Sequence, residues 1–496
     1  MPLVATHELN APSSDPQIYN GYDVCRTYGI LDKLLSLPGA DPVYSLSRAM
    51  QGPAMEMMLR GFLIDPMEQD RGIIDIKERL KGINSFLAEL VHAASGQTTG
   101  FDQAPYFFNS SQQIQNLFYN VMRIHPIETH FGGETKRPMD EETLEKIRTR
   151  FPRARIIAAA ILACRSLSKQ REKLEMEIDP DWRIRTSFNI AGTNEGRWSS
   201  SKSFTGTGGN LQNVDEKLRR MFIADPGYKL CGIDKEQAES RHVGLLCGIL
   251  FDDWTYLDAL ETSDGHTTIA RMAWPNELPW TGDLKKDRRV AEGPLLIAKD
   301  TYRQVAKKVG HATNILGKPP TISIYNNLPV QTVIDFQERY FRAFPAIPKY
   351  HRWLAHQIQT KQYLVNIFGR RRDFFDRPDS EETIRQAAAF MQASANADDI
   401  NLGGYRMWTK MKERIQLLTQ EHDAWYFQFR EDDDEDEVLR IAQELLRVEI
   451  PLTKSRSFSV PTEAKTGWNK GMRYKYENGK QIEINPRGLD KPGMKR

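Results

Sequence analysis

The stretch Tyr228-Lys-Leu-Cys-Gly-Ile-Asp234-Lys-Glu-Gln-Ala-Glu239 decides how this chain is read. Residues 228–234 read as a buried strand that ends on a carboxylate. Downstream, helical periodicity runs through Trp353, with a stop at Gly317-Lys-Pro-Pro320. Residues 363–375 predict a hairpin, and 415–430 hold two strand-like runs around His422-Asp423. Upstream, 183–212 is rich in Ser, Thr, Gly and Asn with interspersed Arg. Before it, residues 43–179 are dominated by helical spacing, clearest over 75–94 and 140–173. Between those two, Phe107-Phe-Asn-Ser-Ser-Gln offers Asn or Ser as a helix cap. Near the start, Tyr19-Asn-Gly-Tyr-Asp23 opens a short amphipathic helix. Helices, a strand, more helices and then strands make an α+β chain whose sheet is interrupted by a large helical insertion. The acidic run 431–437 is expected to be a solvated loop, and the basic stretch after Gly471 a disordered tail.

The bulk numbers narrow the class. A chain of 496 residues can hold several subdomains. A net charge of +2 with 27% charged residues argues against a polybasic tail. It leaves nucleic acid open, because a local basic groove is what matters there. Cys25, Cys164, Cys231 and Cys247 form no CxxC pair and read as reduced, mostly buried thiols of an intracellular protein. No apolar run reaches membrane-span length and the first 15 residues lack a signal-peptide core, so a cytoplasmic monomer with no membrane partner is expected.

Two acids are the first candidates for chemistry. Asp234 ends one strand, and Asp423 lies between two others. A strand-end carboxylate is often only a turn residue. Two of them side by side would suit Mg²⁺, which takes one or two carboxylates and keeps waters for substrate phosphates. Arg303, Lys307 and His311 are spaced by four and project from one side of a helix. Such a face is either a solvated basic stripe or a triphosphate grip, in which Arg supplies a fork and Lys a point charge. Gly196-Arg-Trp-Ser-Ser-Ser-Lys, leading to Asn210-Leu-Gln-Asn213, could lie against a sugar-phosphate backbone or in a minor groove.

In this order the pieces resemble family A DNA polymerases, of the bacterial polymerase I type, over about residues 108–469. Gly196-Arg197, Ser199-Ser-Ser201 and Leu211-Gln212-Asn213 are similar to that family's primer-template motif. Asp234-Lys-Glu-Gln237-Ala-Glu239 resembles its first catalytic motif and His422-Asp423 its last. Asp264-Gly-His266, Arg303-x3-Lys307, Phe368-Gly-Arg-Arg-Arg372 with Arg385 and Gln392, Phe108-Asn109 and Lys465-Thr-Gly-Trp468 fill in the rest.

The resemblance implies a right-hand fold, with an antiparallel palm sheet and mostly helical thumb and fingers. The implied division is a 1–43 remnant of an exonuclease-domain end, 44–180 thumb and start of palm, 181–250 palm, 251–375 fingers, 376–470 palm and a 471–496 tail. It implies template-directed addition of dNTPs to a primer 3′ end. Asp234, Asp423 and the backbone carbonyl of Lys235 would hold two Mg²⁺ ions, with Mn²⁺ able to substitute. Lys307 would donate a proton to the leaving pyrophosphate. Arg303, Lys307, His266, His311, Gln237 and Glu239 would bind the nucleotide, with Glu239 as the gate against a ribose 2′-hydroxyl. Arg197, Gln212, Asn213, Asn109, Arg385, Gln392 and His422 would contact DNA. A replisome or processivity partner is a further expectation.

Several positions depart from the pattern. His311 stands where an aromatic is usual, Ile315 replaces a Tyr, and Ala424 replaces an acid after His-Asp. The spacing from Arg385 to Gln392 is one residue short. Tyr19-x3-Asp23 resembles the last motif of the family's 3′–5′ exonuclease without its earlier acids, so no proofreading is expected. These departures and the insertions suggest a phage or other viral source. A single-subunit RNA polymerase and a catalytically silent DNA-binding subunit are the alternatives, and Gln237 with Glu239 speaks against the first.

Overall fold

The computed structural model describes residues 16–36, 40–95, 107–131, 134–261, 264–297, 300–453, 456–477 and 480–493. The central sheet has four strands in the order Ile415–Glu421, Ala424–Arg430, Tyr228–Lys235, Thr462–Gly467, and every neighbouring pair is antiparallel. Ala424–Arg430 reads Ala-Trp-Tyr-Phe-Gln-Phe-Arg and is buried on both faces until its last residue. A strand covered on both sides loses the alternation of a half-solvated one, and it sits inside the sheet. Its Tyr426 lies across Gly232, where an added Cβ would stand 2.8 Å from the ring.

Between Asp234 and the Ile415–Glu421 strand the chain is almost entirely helical, as the sequence pattern requires. These helices close around an aromatic core in which Tyr256 and Tyr340 both pack against Phe344, at 4.9 and 5.1 Å between centroids. Asn314 ties the end of the helix Tyr302–Asn314 to both tyrosine hydroxyls, at 2.9 Å each. One sheet face is covered by the long helix Glu381–Met411 and by Glu435–Leu446. Gly403 and Gly404 bring the long helix onto Leu446 and Trp425, with no room for a side chain at either glycine. The other face joins a second core built from the helices Pro66–Ser95 and Arg155–Leu174.

Four expectations change. The helical pattern over 140–173 is two helices, Glu141–Arg150 and Arg155–Leu174, with Pro152 in the break because its ring cannot continue a helix. The N-terminal helix spans Pro16–Leu35 and leaves Val24, Tyr28, Ile30 and Leu34 exposed.

The acidic run 431–437 is largely exposed but is loop only to Asp434, and most of its acids are engaged. Glu431 accepts from the Trp468 indole at 2.6 Å, Asp433 pairs with Arg414 at 2.6 Å, and Asp434 caps the helix Glu435–Leu446. Glu435 holds the buried Lys229 at 2.7 Å. Carboxylates at a helix N-terminus also meet the positive end of its dipole.

The stretch after Gly471 is no disordered tail. Strands Tyr474–Glu477 and Lys480–Glu483 form a hairpin, and Thr466 bridges Asp490 at the sheet edge. Of the cysteines, Cys164, Cys231 and Cys247 are buried and Cys25 is exposed. Among the described residues no helix is long and apolar enough to cross a membrane.

Candidate active site

The two acids meet at one end of the sheet. Asp234 lies in register with Ala424 on one side and Glu463 on the other. The backbone N–H of Lys235 donates to the carbonyl of Asp423 at 3.1 Å, which binds the turn to the strand end. His422 opens that turn in the left-handed region at φ 53°. Asp234 is open to a cleft, yet the crowding of its walls and the nearby Asp423 raise its pKa to about 7. Removal of water disfavours a charge, and a second carboxylate adds repulsion. Lys465 and Lys307 pull the other way.

Lys235 turns its side chain to the opposite face, where the fully buried ammonium meets Asp399 of the long helix at 2.6 Å. The sequence reading missed this pair. Its signal was Asp398-Asp399, two adjacent acids in the middle of a small-residue stretch of a long helix. Asp398 is likewise taken, by a bidentate grip from Arg370 at 2.7 and 3.0 Å.

Across the cleft runs the helix Tyr302–Asn314, started by a Thr301 capping box with Gln304. Arg303, Lys307 and His311 do share a face, and each has a different neighbour. Arg303 is held in a fork by Asp264, at 2.6 and 2.9 Å. Lys307 is exposed and faces Asp234. His311 Nδ1 is 3.4 Å from Glu239, whose other oxygen is taken by Arg197. Burial, Arg197 and Lys307 hold His311 below the usual imidazole range.

His266 is buried with no hydrogen-bond partner at Nδ1. Burial and the adjacent Arg303 and Lys307 push it to about 4, so it is neutral at physiological pH. Gln237 adopts φ 55° at the start of the helix Ala238–Phe251, and its buried Oε1 has no partner either.

On the other side of the acids, His422 Nε2 is 3.3 Å from Asn213 Oδ1. Both line a cavity of about 370 Å³ with Lys169, Lys173, Gln212 and Arg219. Gln212 supports this wall from within. Its amide donates to Gln420 at 3.1 Å, and Gln420 donates to the His422 carbonyl at 2.7 Å. Gly196 takes φ 79° where an added Cβ would strike the Arg370 guanidinium, so Arg197 leaves a backbone locked against Arg370. Gln392 is buried in the long helix. Arg385 is on its surface, paired with Glu382, and Asn109 is exposed in the turn Phe107–Asn109. Among the described residues no hydrogen bond or ion pair links Arg385 or Asn109 to the acids.

The donor set suits hard divalent cations. Two carboxylates meet where burial and Asp423 raise the cost of ionising Asp234, and a cation relieves that cost. Among the described residues no cluster of three or more acids, histidines or cysteines forms a metal cage. The candidate is a pair completed by backbone, water and substrate oxygens.

A profile described as "DNA polymerase family A" matches residues 77–277, a span that includes Asp234 and stops short of the helix Tyr302–Asn314. The thermostable DNA polymerase I of Thermus aquaticus is 26% identical over 410 residues, 78% of this chain and 44% of that protein. The DNA polymerase of Escherichia phage T5 is 24% identical over 412 residues, 76% of this chain and 47% of the phage protein. The chain therefore spans less than half the length of these relatives. In structure it is similar to the POL domain of Pol1 from M. smegmatis, solved with DNA primer-template and dNTP. That similarity has a TM-score of 0.66 and 20% identity, covering 89% of this chain and 71% of the other.

Proposed function

We propose that the chain is a family A DNA polymerase domain of the polymerase I kind and that it extends a primer 3′ end with dNTPs on a DNA template. The observation that carries this reading is the pairing of Asp234 and Asp423 at adjoining strand ends opposite Lys307. Asp234, Asp423 and the carbonyl of Lys235 would hold two Mg²⁺ ions. When bound, the ions supply Lewis-acid stabilisation to the attacking and leaving oxygens.

The chain's own residues do the rest. Lys307 is placed to neutralise the phosphates and to give a proton to the pyrophosphate as it leaves. Arg303 offers a planar fork that now grips Asp264, so an incoming triphosphate takes the place of that carboxylate. Neutral His266 offers a hydrogen bond and no charge. Glu239, held by Arg197 and His311, forms the wall that excludes a 2′-hydroxyl. The wall of Asn213, Arg219, Lys173 and His422 receives the duplex, in keeping with basic and amide side chains against a phosphate backbone.

On this reading the sheet segments form the palm, the 251–375 helices the fingers, and the Pro66–Ser95 and Arg155–Leu174 layer the thumb. The same proposal carries a cytoplasmic location, in the bacterial host if phage-encoded, and a viral-type source, which the similarity to the phage T5 enzyme supports. It also carries an Asp23 with no part in catalysis. Asp23→Ala should leave the decay of a mismatched 3′ end unchanged, and a metal-dependent decay that this variant removes would overturn that point.

The decisive experiment is extension of a primed template with dNTPs and Mg²⁺, with and without EDTA. Growth of the primer that EDTA abolishes supports the proposal. Extension with NTPs alone and none with dNTPs would put an RNA polymerase in its place.

A further inference from the structure

Beside the catalytic turn stands a buried ion pair that none of the roles above uses. Glu421 is the last residue of its strand, directly before His422-Asp423, and is 5% exposed. Its carboxylate is bonded to the ammonium of Lys470, which is 1% exposed. Three rings surround that ammonium: Tyr426 at 4.5 Å from the centroid, Phe222 at 5.6 Å and Phe62 at 6.0 Å. Ring faces attract a cation at these distances. Arg219, from the cleft wall, approaches the other Glu421 oxygen at 3.7 Å. Burial and Arg219 push Lys470 well below the usual lysine range, and Glu421 is the one carboxylate bonded to it.

Lys470 is held there by the C-terminal segment. Its own N–H donates to the carbonyl of Phe222 at 2.9 Å. Residues 485–490 fold back over it: Trp468 and Asn469 both donate to the Arg487 carbonyl, and the Asn469 and Asn485 amides bond to each other. Glu421 is paired across the sheet with Ala424, and Ala424 with Asp234. Directly opposed residues share a face, so Glu421, Ala424 and Asp234 form one row across three strands. Ala424 has no side chain with which to fix its end of the turn. The carboxylate that anchors the turn stands one strand over, at 421.

We propose that Glu421 and Lys470, with Arg219 at their cleft end, are positioning residues that hold the His422-Asp423 turn against Asp234. A pair that costs two desolvations is weak evidence for stability by itself. Its use is to give the turn a single register. Through Arg219 it also joins the cleft wall to the acids. The inference rests on the polymerase reading, since the turn matters only if Asp423 does.

The test uses the full chain with primed DNA, dNTP and Mg²⁺, and compares Glu421→Gln, Lys470→Met and the double variant with the wild type. Each single change should lower the maximal single-turnover rate by about tenfold or more and raise the Mg²⁺ needed for half that rate severalfold, as loss of a partner behind a metal ligand does. DNA affinity should stay within about twofold, because the groove residues are untouched. Glu421→Asp, which keeps the carboxylate, should recover part of the rate. The double variant, which leaves no buried charge unpaired, should fold and remain slow. Folded variants with wild-type rate and Mg²⁺ dependence would overturn the inference. So would a double variant that cannot fold, since the pair would then serve stability and not position. A wild-type chain that extends no primer would instead reject the polymerase reading itself.

Discussion

The strand ends and the helix across the cleft handle charge in opposite ways. Asp234 and Asp423 are brought together at adjoining strand ends, and burial together with the neighbouring Asp423 raises the Asp234 carboxyl to about 7. On the helix Tyr302–Asn314 two of the three basic residues already have carboxylate neighbours: Arg303 has Asp264, and His311 has Glu239. Lys307, between them, faces Asp234. One side of the cleft therefore stores a repulsion that a cation relieves. The other side is largely neutralised and, on the proposed reading, would exchange internal carboxylates for phosphate oxygens. On the proposed reading such a site would bind its metal by relief of repulsion and its nucleotide by displacement, and of the three helix residues only Lys307 would keep an uncommitted charge for the transition state.

The largest effect should come from removing the repulsive side. Asp234→Ala or Asp423→Ala should lower incorporation by about a thousandfold or more, because several kcal/mol of transition-state stabilisation depend on the ions they hold. DNA binding, measured by anisotropy, should persist. Extension by either variant within about a tenth of the wild-type rate would mean that the two acids are not the metal pair.

Next come the two cations of the helix, which should separate. Lys307→Ala should cut the maximal rate by about a hundredfold with little change in apparent dNTP affinity, since its charge acts where negative charge builds. Arg303→Ala should weaken affinity and rate together, by about tenfold, since the loss of its fork is partly offset by the release of Asp264. Single-turnover rates over a range of dNTP concentrations distinguish the cases. If Lys307→Ala alters only the affinity, its role as proton donor falls, and the contrast between the two residues falls with it.

The same contrast explains what could be read from sequence. Asp234, Asp423 and the basic helix face were legible because each depends on local rules: a strand-end carboxylate, a tight turn between two strand runs, a spacing of four. The α+β order was legible for the same reason. Partners distant in sequence were not. Nothing near Arg303 announces Asp264, 39 residues earlier. Nothing in 431–437 announces Arg414, Lys229 and Trp468, so the run read as solvated. The stretch after Gly471 looked too polar to fold, yet its backbone is tied down by pairing with 466–473, a long-range contact that composition does not report.

Glu239 is the one carboxylate of the neutralised side expected to act on the sugar. Glu239→Ala removes the wall and leaves Arg197 and His311 without their shared partner. Ribonucleotide incorporation relative to dNTP should rise by about tenfold, the scale on which a pocket wall discriminates one small group. The dNTP efficiency should fall by less. An unchanged ratio of rNTP to dNTP use would move the gate to another residue, and His311→Ala is the next variant to measure.

The smallest effect is on stability, and it reads the combined cost of burial and repulsion at Asp234. Asp234 has a folded-state pKa of about 7 against an ordinary value of 3.8. Between those values the folded chain binds more proton than the unfolded one. The stability tied to that proton is complete below the ordinary value and is lost as pH rises through about 7. Asp234→Asn carries no such charge, so in metal-free buffer it should melt higher than the wild type at about pH 8 and no higher at about pH 4. Because Asp234 is open to the cleft, water screens much of the effect, and a gain of about 1–3 °C is expected for a chain of this size. Added Mg²⁺ should reverse the order at the higher pH, since the ion stabilises the wild type by mass action and has lost a ligand in the variant. Melting curves at the two pH values, with and without Mg²⁺, give all the comparisons. A variant no more stable than the wild type at the higher pH without metal would show that the Asp234 charge costs nothing where it stands, and the electrostatic contrast between the two sides of the cleft would be lost.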